Sequence, residues 1–109
     1  MIIIRTILNT LPEKKREVLQ TLLAMVEAPA NDNGLLSYGI YTDIGNNNIF
    51  NLISEWETRG HMNDHLNSDT FSVLLGTQSL LLKPIEIQIL NVSSIEGIEA
   101  VYAARKAKG

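Results

Sequence analysis

The chain has 109 residues, contains no cysteine and carries a formal net charge of −3 at pH 7. This length fits one domain. The lack of cysteine excludes disulfides, a thiolate nucleophile and thiolate metal ligands, and it suits a reducing cytoplasm. The acidic balance argues against a nucleic-acid surface, and no apolar run approaches the roughly 20 residues of a membrane span. We therefore expect a cytoplasmic protein whose partners are neither nucleic acids nor membranes.

The first third of the sequence predicts a strand and a helix. Ile2 to Asn9 is short and rich in β-branched residues, which is typical of a buried strand. Thr10, Pro12 and Glu13 form a capping pattern that predicts the start of a helix, with Thr10 as its cap. An apolar stripe follows at helical spacing up to a helix end near Glu27, and consists of Val18, Leu19, Leu22, Leu23 and Val26. Residues 29–34 predict a loop.

The middle of the sequence predicts a hairpin and two short helices. Strands over Leu35 to Thr42 and Ile49 to Trp56 flank a turn rich in Asn and Gly. Thr58 and Ser68 stand where N-caps of two helices are expected. The stripe of the second of these helices, which Pro84 stops, consists of Phe71, Leu74, Leu75, Gln78 and Leu81.

The end of the sequence predicts a fourth strand and a terminal helix. Isoleucines 85, 87 and 89 alternate with polar residues, which indicates a strand with one solvated face. A capping box from Ser93 to Glu96 predicts the helix start. We expect three residues of this helix to face inward, namely Ile98, Val101 and Tyr102.

The order of the elements predicts the fold class. With the terminal helix set aside and the two short helices merged, the order is β-α-β-β-α-β, the split βαβ arrangement. We expect an α+β, ferredoxin-like sandwich with one four-stranded antiparallel sheet, plus a C-terminal helix. The first three strands are apolar on both sides, whereas helices cover only one face of such a sheet. The uncovered face predicts a face-to-face homodimer.

Two segments resemble the antibiotic biosynthesis monooxygenase superfamily. Phe50 to Trp56 is similar to its third strand, and His65 to Phe71 is similar to its His followed by an S-x-x-F helix junction. The resemblance covers residues 2–92, so we expect a family domain over 1–92 and a C-terminal helical extension over 93–109. It implies a dimeric α/β barrel with a small-molecule pocket between each sheet and its helices.

The resemblance also implies an activity. Some members of the superfamily oxygenate quinols or polyketide-derived phenols without flavin, metal or haem, so we expect a cofactor-independent monooxygenase acting on a small, electron-rich, quinol-like aromatic. The sequence has no G-x-G-x-x-G loop, so no dinucleotide cofactor is implied. Two alternatives stay open on the same scaffold. One is a non-enzymatic dimer that binds or senses a small metabolite, and the other is an isomerase or related metabolite-processing enzyme.

One branch of the superfamily degrades haem, and two positions argue against that activity here. The branch resembles this chain around residues 64–69. It carries a Trp where this chain has His65, and a haem-ligating His where this chain has Leu75. We therefore do not expect haem as a substrate.

His65 is the candidate catalytic residue. A phenol or quinol loses a proton before it gives electrons to oxygen, and an imidazole with a pKa of about 6.5 can accept that proton near neutral pH. The alternative is a partly buried histidine that bonds a backbone carbonyl and closes the core. A metal role together with His61 is not expected, because H-x-x-x-H lacks the Glu of the zinc-protease motif.

Four residues are candidates for substrate binding. Trp56 would form an aromatic wall or could equally be a core residue, and Phe71 would be a further contact although such a residue is more often part of the core. Tyr38 would be a third contact, but it and Tyr41 lie on opposite faces of one strand and the sequence does not tell which face meets the helices. Asn9, at the end of the first strand, would orient a substrate oxygen, or it is a polar turn residue.

Overall fold

The computed structural model describes residues 1–27 and 34–107. The strands are β1 (Ile2–Asn9), β2 (Leu35–Thr42), β3 (Ile49–Trp56) and β4 (Glu86–Asn91). The helices are α1 (Lys15–Glu27), α2 (Arg59–Leu66), α3 (Asp69–Gly76) and α4 (Ile98–Ala107). Short 3-10 turns precede α1 and follow α3, over Pro12–Lys14 and Thr77–Leu80. The predicted order of elements is confirmed, and most of the loop predicted over 29–34 lies outside the described residues.

The four strands form one antiparallel sheet in the order β2-β3-β1-β4. The two central strands are β1 and β3, and Ile4 of β1 stands opposite Ser54 of β3 and Ile89 of β4. This topology confirms the predicted ferredoxin-like α+β fold. Within the described residues the sheet is open, with β2 and β4 as its edges.

The core lies between the sheet and helices α1, α2 and α3. Side chains alternate along β1 and β3, so every second residue is buried on the helix side. Leu8 and Phe50 from the strands are fully buried. They pack with Val18 and Leu22 of α1 and with Leu74 of α3, among others.

Two predicted helix caps are confirmed. The Thr58 hydroxyl accepts a hydrogen bond from the His61 N–H at 3.2 Å, and the Ser68 hydroxyl accepts one from the Phe71 N–H at 3.2 Å. These bonds satisfy N–H groups that the first turn of a helix leaves free. Two consecutive caps therefore divide this segment into α2 and α3.

The predicted cap at Thr10 is wrong. Its hydroxyl donates to the Asn48 carbonyl at 2.9 Å, and the residue is fully buried in a bridge with Leu81. The cap position of the following turn is Leu11, which makes no side-chain cap bond. Thr10 thus extends the strand and joins it to the hairpin, and the helical segment starts at Pro12 without it.

Three members of the predicted stripes face solvent, and one of them is Gln78. Leu23 is 48% exposed and Leu75 is 46% exposed. In α1 the buried positions are Val18, Leu22 and Met25, which are spaced by four and three residues. Leu23 lies about 100° around the helix from Leu22, so it falls off this stripe.

The terminal helix also differs from expectation. It begins at Ile98, after Gly97, and not at the predicted capping box. Its apolar residues do not face inward, because Ile98, Val101 and Tyr102 are 57%, 50% and 59% exposed. The radius of gyration is 16.4 Å, whereas a compact chain of this length has about 13 Å. The helix therefore projects from the body of the domain.

The backbone at position 34 requires a glycine, so a substitution at Gly34 tests the fold. Its φ is +78°, and a Cβ there would overlap the ring and Cβ of His61. We expect Gly34→Ala to lower the free energy of unfolding by about 1–3 kcal/mol. Urea unfolding, followed by the fluorescence of the single tryptophan, measures this change.

Gly76→Ala is the matched control. Apart from its chain neighbours and the backbone of its own helix, no heavy atom of the described residues lies within 4 Å of a Cβ built at Gly76, whose φ of −66° is helical. This substitution should raise the free energy of unfolding by roughly 0.5–1 kcal/mol. Equal losses in the two variants would contradict the described contact between Gly34 and His61.

Candidate active site

His65 occupies the last turn of α2 and points toward the sheet. Met62 and His65 are the buried residues of this helix, spaced by three positions, and His65 is 5% exposed. The Ser68 hydroxyl makes two hydrogen bonds at this turn. It donates to the His65 carbonyl at 2.6 Å, and it accepts from the Phe71 N–H as the cap of α3. The junction between the two helices therefore sets the position of the imidazole.

Three aromatic rings surround the imidazole of His65. The indole of Trp56 stacks on it with ring centroids 4.6 Å apart and an angle of 29° between planes. Phe71 and Tyr38 meet it edge-on, with centroid distances of 5.6 Å and 6.1 Å. We call these four residues the His65 cluster. The structure thus brings together four of the five candidates from the sequence.

The strand pairing answers the question about the two tyrosines. Tyr38 stands directly opposite Ser54, which is buried on the helix side of β3. Residues directly opposite each other in an antiparallel pair share a face, so Tyr38 faces the helices. Tyr41 lies on the other face and is 57% exposed.

Asn9 is not brought into the cluster. It pairs with Ile49 at the far end of β3 from Trp56. It also has the parity of Ile3 and Ile7, and therefore faces the side of the sheet that α1, α2 and α3 leave uncovered. A role of Asn9 in the same site as His65 has no support from this arrangement.

Ser54 is a member of the site that the sequence reading missed. Trp56 is fully buried, and its indole N–H donates to the Ser54 hydroxyl at 2.9 Å. Ser54 and Trp56 are two positions apart on one strand, and this spacing already indicates in the sequence that both side chains lie on one face. This bond fixes the ring on which His65 stacks.

A separate cleft of about 630 Å³ opens between α1 and α3. Its walls include Gln20, Thr21, Met25, Val73 and Leu80, and none of the His65 cluster. Its carboxylate, Glu17, is within 3.5 Å of Lys14. We favour the His65 cluster as the reactive site, because it joins a buried titratable group to aromatic surfaces and the cleft does not.

The two histidines do not share a site. The ring of His61 is bonded to the Thr58 hydroxyl at 2.8 Å near the protein surface, whereas His65 is buried. Across residues 1–27 and 34–107, no group of three or more His, Asp or Glu side chains is arranged to hold a metal ion. In the same ranges no helix is long and apolar enough to cross a membrane.

Comparison with known families identifies the class of this protein. The sequence profile described as "Antibiotic biosynthesis monooxygenase" matches residues 1–74, which is most of the chain. The chain therefore belongs to the antibiotic biosynthesis monooxygenase family. The match spans β1 to most of α3, so it includes every member of the His65 cluster.

Individual relatives agree with this assignment. The chain is 23% identical to the Bacillus subtilis protein named "Putative monooxygenase YcnE" over 80% of this chain and 93% of that protein. A solved structure from Methanosarcina mazei is 26% identical, with a TM-score of 0.77 over 83% of this chain and 90% of that one. A "putative antibiotic biosynthesis monooxygenase" from Deinococcus radiodurans has the same fold, with 20% identity and a TM-score of 0.82 over 90% and 98% of the two chains.

The bond between Trp56 and Ser54 yields a second prediction. Ser54→Ala leaves a buried indole N–H without its acceptor, so the free energy of unfolding should fall by about 1–3 kcal/mol. The double variant Ser54→Ala, Trp56→Phe removes the donor as well, and thermal unfolding of both singles and the double measures their coupling.

Ser72→Ala is the control for this prediction. The Ser72 hydroxyl is exposed and makes a long bond of 3.4 Å to the Ser68 carbonyl. Its loss should change stability by less than about 0.5 kcal/mol. A Ser54→Ala variant as stable as Ser72→Ala would show that the buried bond does not hold Trp56.

Proposed function

We propose that this protein is a cofactor-independent monooxygenase that oxidises a small, electron-rich, quinol-like aromatic. The observation that carries the proposal is the imidazole of His65, buried on the indole of Trp56 and edged by Phe71 and Tyr38. Membership of the monooxygenase family supports it. In this proposal His65 is the base and the aromatic residues select a flat ring.

The reaction begins with proton transfer. His65 accepts the proton of a phenolic hydroxyl, and the resulting phenolate is a far better electron donor than the neutral phenol. It passes electrons to dioxygen, and a C–O bond forms at a ring carbon. Cleavage of the O–O bond leaves one oxygen on the ring and releases the other as water. A hydroquinone and dioxygen thus become a hydroxyquinone and water, with all four electrons supplied by the substrate.

The aromatic surroundings of His65 favour its role as the proton acceptor. Aromatic walls exclude water, which lowers the local dielectric and strengthens the effect of a placed proton acceptor. Tyr38 is only partly buried, whereas Trp56 is fully buried. We therefore expect the substrate to enter beside Tyr38 and to displace part of the closed cluster.

We infer that the active form is a homodimer joined through the open sheet face, as in a dimeric α/β barrel. This face, defined by Ile3, Ile7 and Ile53 at its centre, is partly buried and is covered by no helix of the described residues. It also carries Arg5 and Glu55, so charges of both signs can meet across a two-fold axis.

One observation favours a second function. His65 is only 5% exposed and packs on three rings, which also suits a residue that shapes a binding site without reacting. A dimer that binds or senses an aromatic metabolite is therefore the alternative proposal.

Oxygen uptake with a panel of substituted hydroquinones tests the proposed activity. We expect one mole of dioxygen per mole of substrate, and label from ¹⁸O₂ in both the product and water. His65→Gln should lower kcat/KM by roughly 10²–10⁴-fold, because it removes the base. The loss should lie mainly in kcat, since glutamine keeps a polar side chain of similar reach.

His61→Gln is the matched control. It changes the other histidine, which lies outside the His65 cluster and bonds Thr58, so kcat/KM should stay close to that of the unsubstituted protein. If the folded dimer binds hydroquinones, as seen by quenching of Trp56, but consumes no oxygen with any of them, the binding function replaces the monooxygenase.

A charge on the open sheet face tests the dimer. We expect Ile53→Lys to raise the dimer dissociation constant by roughly a hundredfold, because an unpaired buried charge costs about 3 kcal/mol or more. Leu23→Lys places the same charge on the 48% exposed surface of α1 and should leave the dimer intact. Light scattering across a dilution series measures both, and equal behaviour of the two variants would exclude this interface.

A further inference from the structure

Ser54 carries a hydroxyl group that is buried but only partly used. The residue is 4% exposed, and its oxygen accepts the hydrogen bond from the indole N–H of Trp56 at 2.9 Å. A serine hydroxyl can accept hydrogen bonds and can also donate one. Among the residues that the structure describes, no acceptor takes the hydrogen of this O–H. The bond to Trp56 therefore explains the oxygen of Ser54 but leaves its hydrogen unexplained.

Two other buried hydroxyls in this protein do use their hydrogen. The Thr10 hydroxyl donates to the Asn48 carbonyl at 2.9 Å, and the Thr77 hydroxyl donates to the Leu74 carbonyl at 2.7 Å. A buried polar hydrogen without an acceptor costs free energy, because it has given up its hydrogen bond to water. A ligand that brings an acceptor to Ser54 recovers this cost on binding.

The position of Ser54 in the sheet places its O–H at the candidate active site. Ser54 stands opposite Tyr38 on β2 and opposite Ile4 on β1, and all three side chains face the helices. The Cβ atoms of two such opposite residues are about 5 Å apart. The substrate in our proposal enters beside Tyr38 and lies against the ring of Trp56. Its path therefore passes over Ser54.

We propose that Ser54 donates its hydroxyl hydrogen to the phenolic oxygen of the substrate, as a second polar contact beside His65. This inference rests on the proposed function, because it needs an aromatic ligand with an oxygen atom in the His65 cluster. When His65 removes the phenolic proton, the negative charge remains on the oxygen that Ser54 contacts. A hydrogen bond to a charged acceptor is about twice as strong as one to a neutral acceptor. The contact therefore strengthens as the proton leaves, which favours the transition state over the bound substrate.

The same contact makes Ser54 a residue that determines specificity. The other near neighbours of the His65 imidazole are the rings of Trp56, Phe71 and Tyr38, which accept any flat ligand of suitable size. A site that hydrogen-bonds a ligand oxygen discriminates against an analogue that lacks it, because the buried donor is then left unpaired. We therefore expect phenols and quinols to bind better than hydrocarbons of the same shape.

A purely structural role for Ser54 is the competing explanation. In that case its hydroxyl serves only as the acceptor for Trp56 and makes no contact with a ligand. The two roles separate when the indole is removed. In a Trp56→Phe background the acceptor role disappears, since phenylalanine has no N–H, whereas the donor role toward a ligand remains.

Binding of 4-nitrophenol tests the contact in this background. Its isostere 4-nitrotoluene has a methyl group in place of the hydroxyl, so the two ligands differ only at the proposed contact. Adding Ser54→Ala to Trp56→Phe should raise the Kd of 4-nitrophenol by roughly tenfold or more, and it should leave the Kd of 4-nitrotoluene unchanged. Titration calorimetry measures both. Ser72→Ala in the same background removes an exposed hydroxyl and should change neither Kd.

The absorbance of bound 4-nitrophenol gives a second readout, since the phenol and the phenolate absorb at different wavelengths. A donor to the phenolate lowers the pKa of the bound phenol. Ser54→Ala should therefore raise that pKa by about 1 or more relative to the unsubstituted protein. Equal values of Kd for Trp56→Phe with and without Ser54→Ala, or an unchanged pKa, would overturn the inference. So would failure of the unsubstituted protein to bind 4-nitrophenol.

These measurements do not depend on oxygen consumption, so the two proposals can fail separately. If Ser54 governs the binding of 4-nitrophenol but no hydroquinone consumes oxygen, the contact stands and the monooxygenase is replaced by a protein that binds phenols. If oxygen is consumed while Ser54→Ala leaves the binding of 4-nitrophenol unchanged, the monooxygenase stands and the contact is excluded.

Discussion

The constraint on which this structure depends is a sheet that is apolar on both faces in a chain with too few helices to cover both. Three helices pack on one side, where Leu8, Phe50 and Trp56 are fully buried. The opposite side keeps Ile3 and Ile53 only partly buried. Apolar surface left in water is costly by about 25 cal/mol for each Å², and this cost is the physical reason for the homodimer that we propose. The proposed barrel interface would cover the open face of the sheet.

The candidate active site depends on how the chain folds directly after β3. The helical segment after β3 is divided by two caps, at Thr58 and Ser68, into helices of eight residues each. The division turns the end of α2 toward the sheet and lays His65 on Trp56. Ser68 both caps α3 and bonds the His65 carbonyl. A titratable side chain that burial would otherwise disfavour is thus placed by local backbone chemistry, with aromatic surfaces as its immediate neighbours.

Predictions from the sequence succeeded where the governing interactions are local and failed where distant segments compete for a group. The caps at Thr58 and Ser68 bond residues three positions away, and both were foreseen. Thr10 looked equally suited to capping, yet the Asn48 carbonyl takes its hydroxyl across the sheet. Most of the apolar stripe of α1 was predicted correctly, but Met25 is buried where Leu23 was expected to be. Four of the five site residues converge, whereas Asn9 lies on the other face because strand parity separates it from Trp56.

The sequence by itself determined the strands, the helices and the family of this protein, because alternation, helical spacing and capping are short-range patterns. It also determined that Trp56 and His65 stand close together along the chain. Only the tertiary structure decided that the two rings stack, that Tyr38 rather than Tyr41 faces the helices, and that Ser54 holds the indole. It alone decided that α4 leaves the domain. These outcomes depend on strand register and on which surfaces the first three helices occupy, and both are properties of the folded chain as a whole.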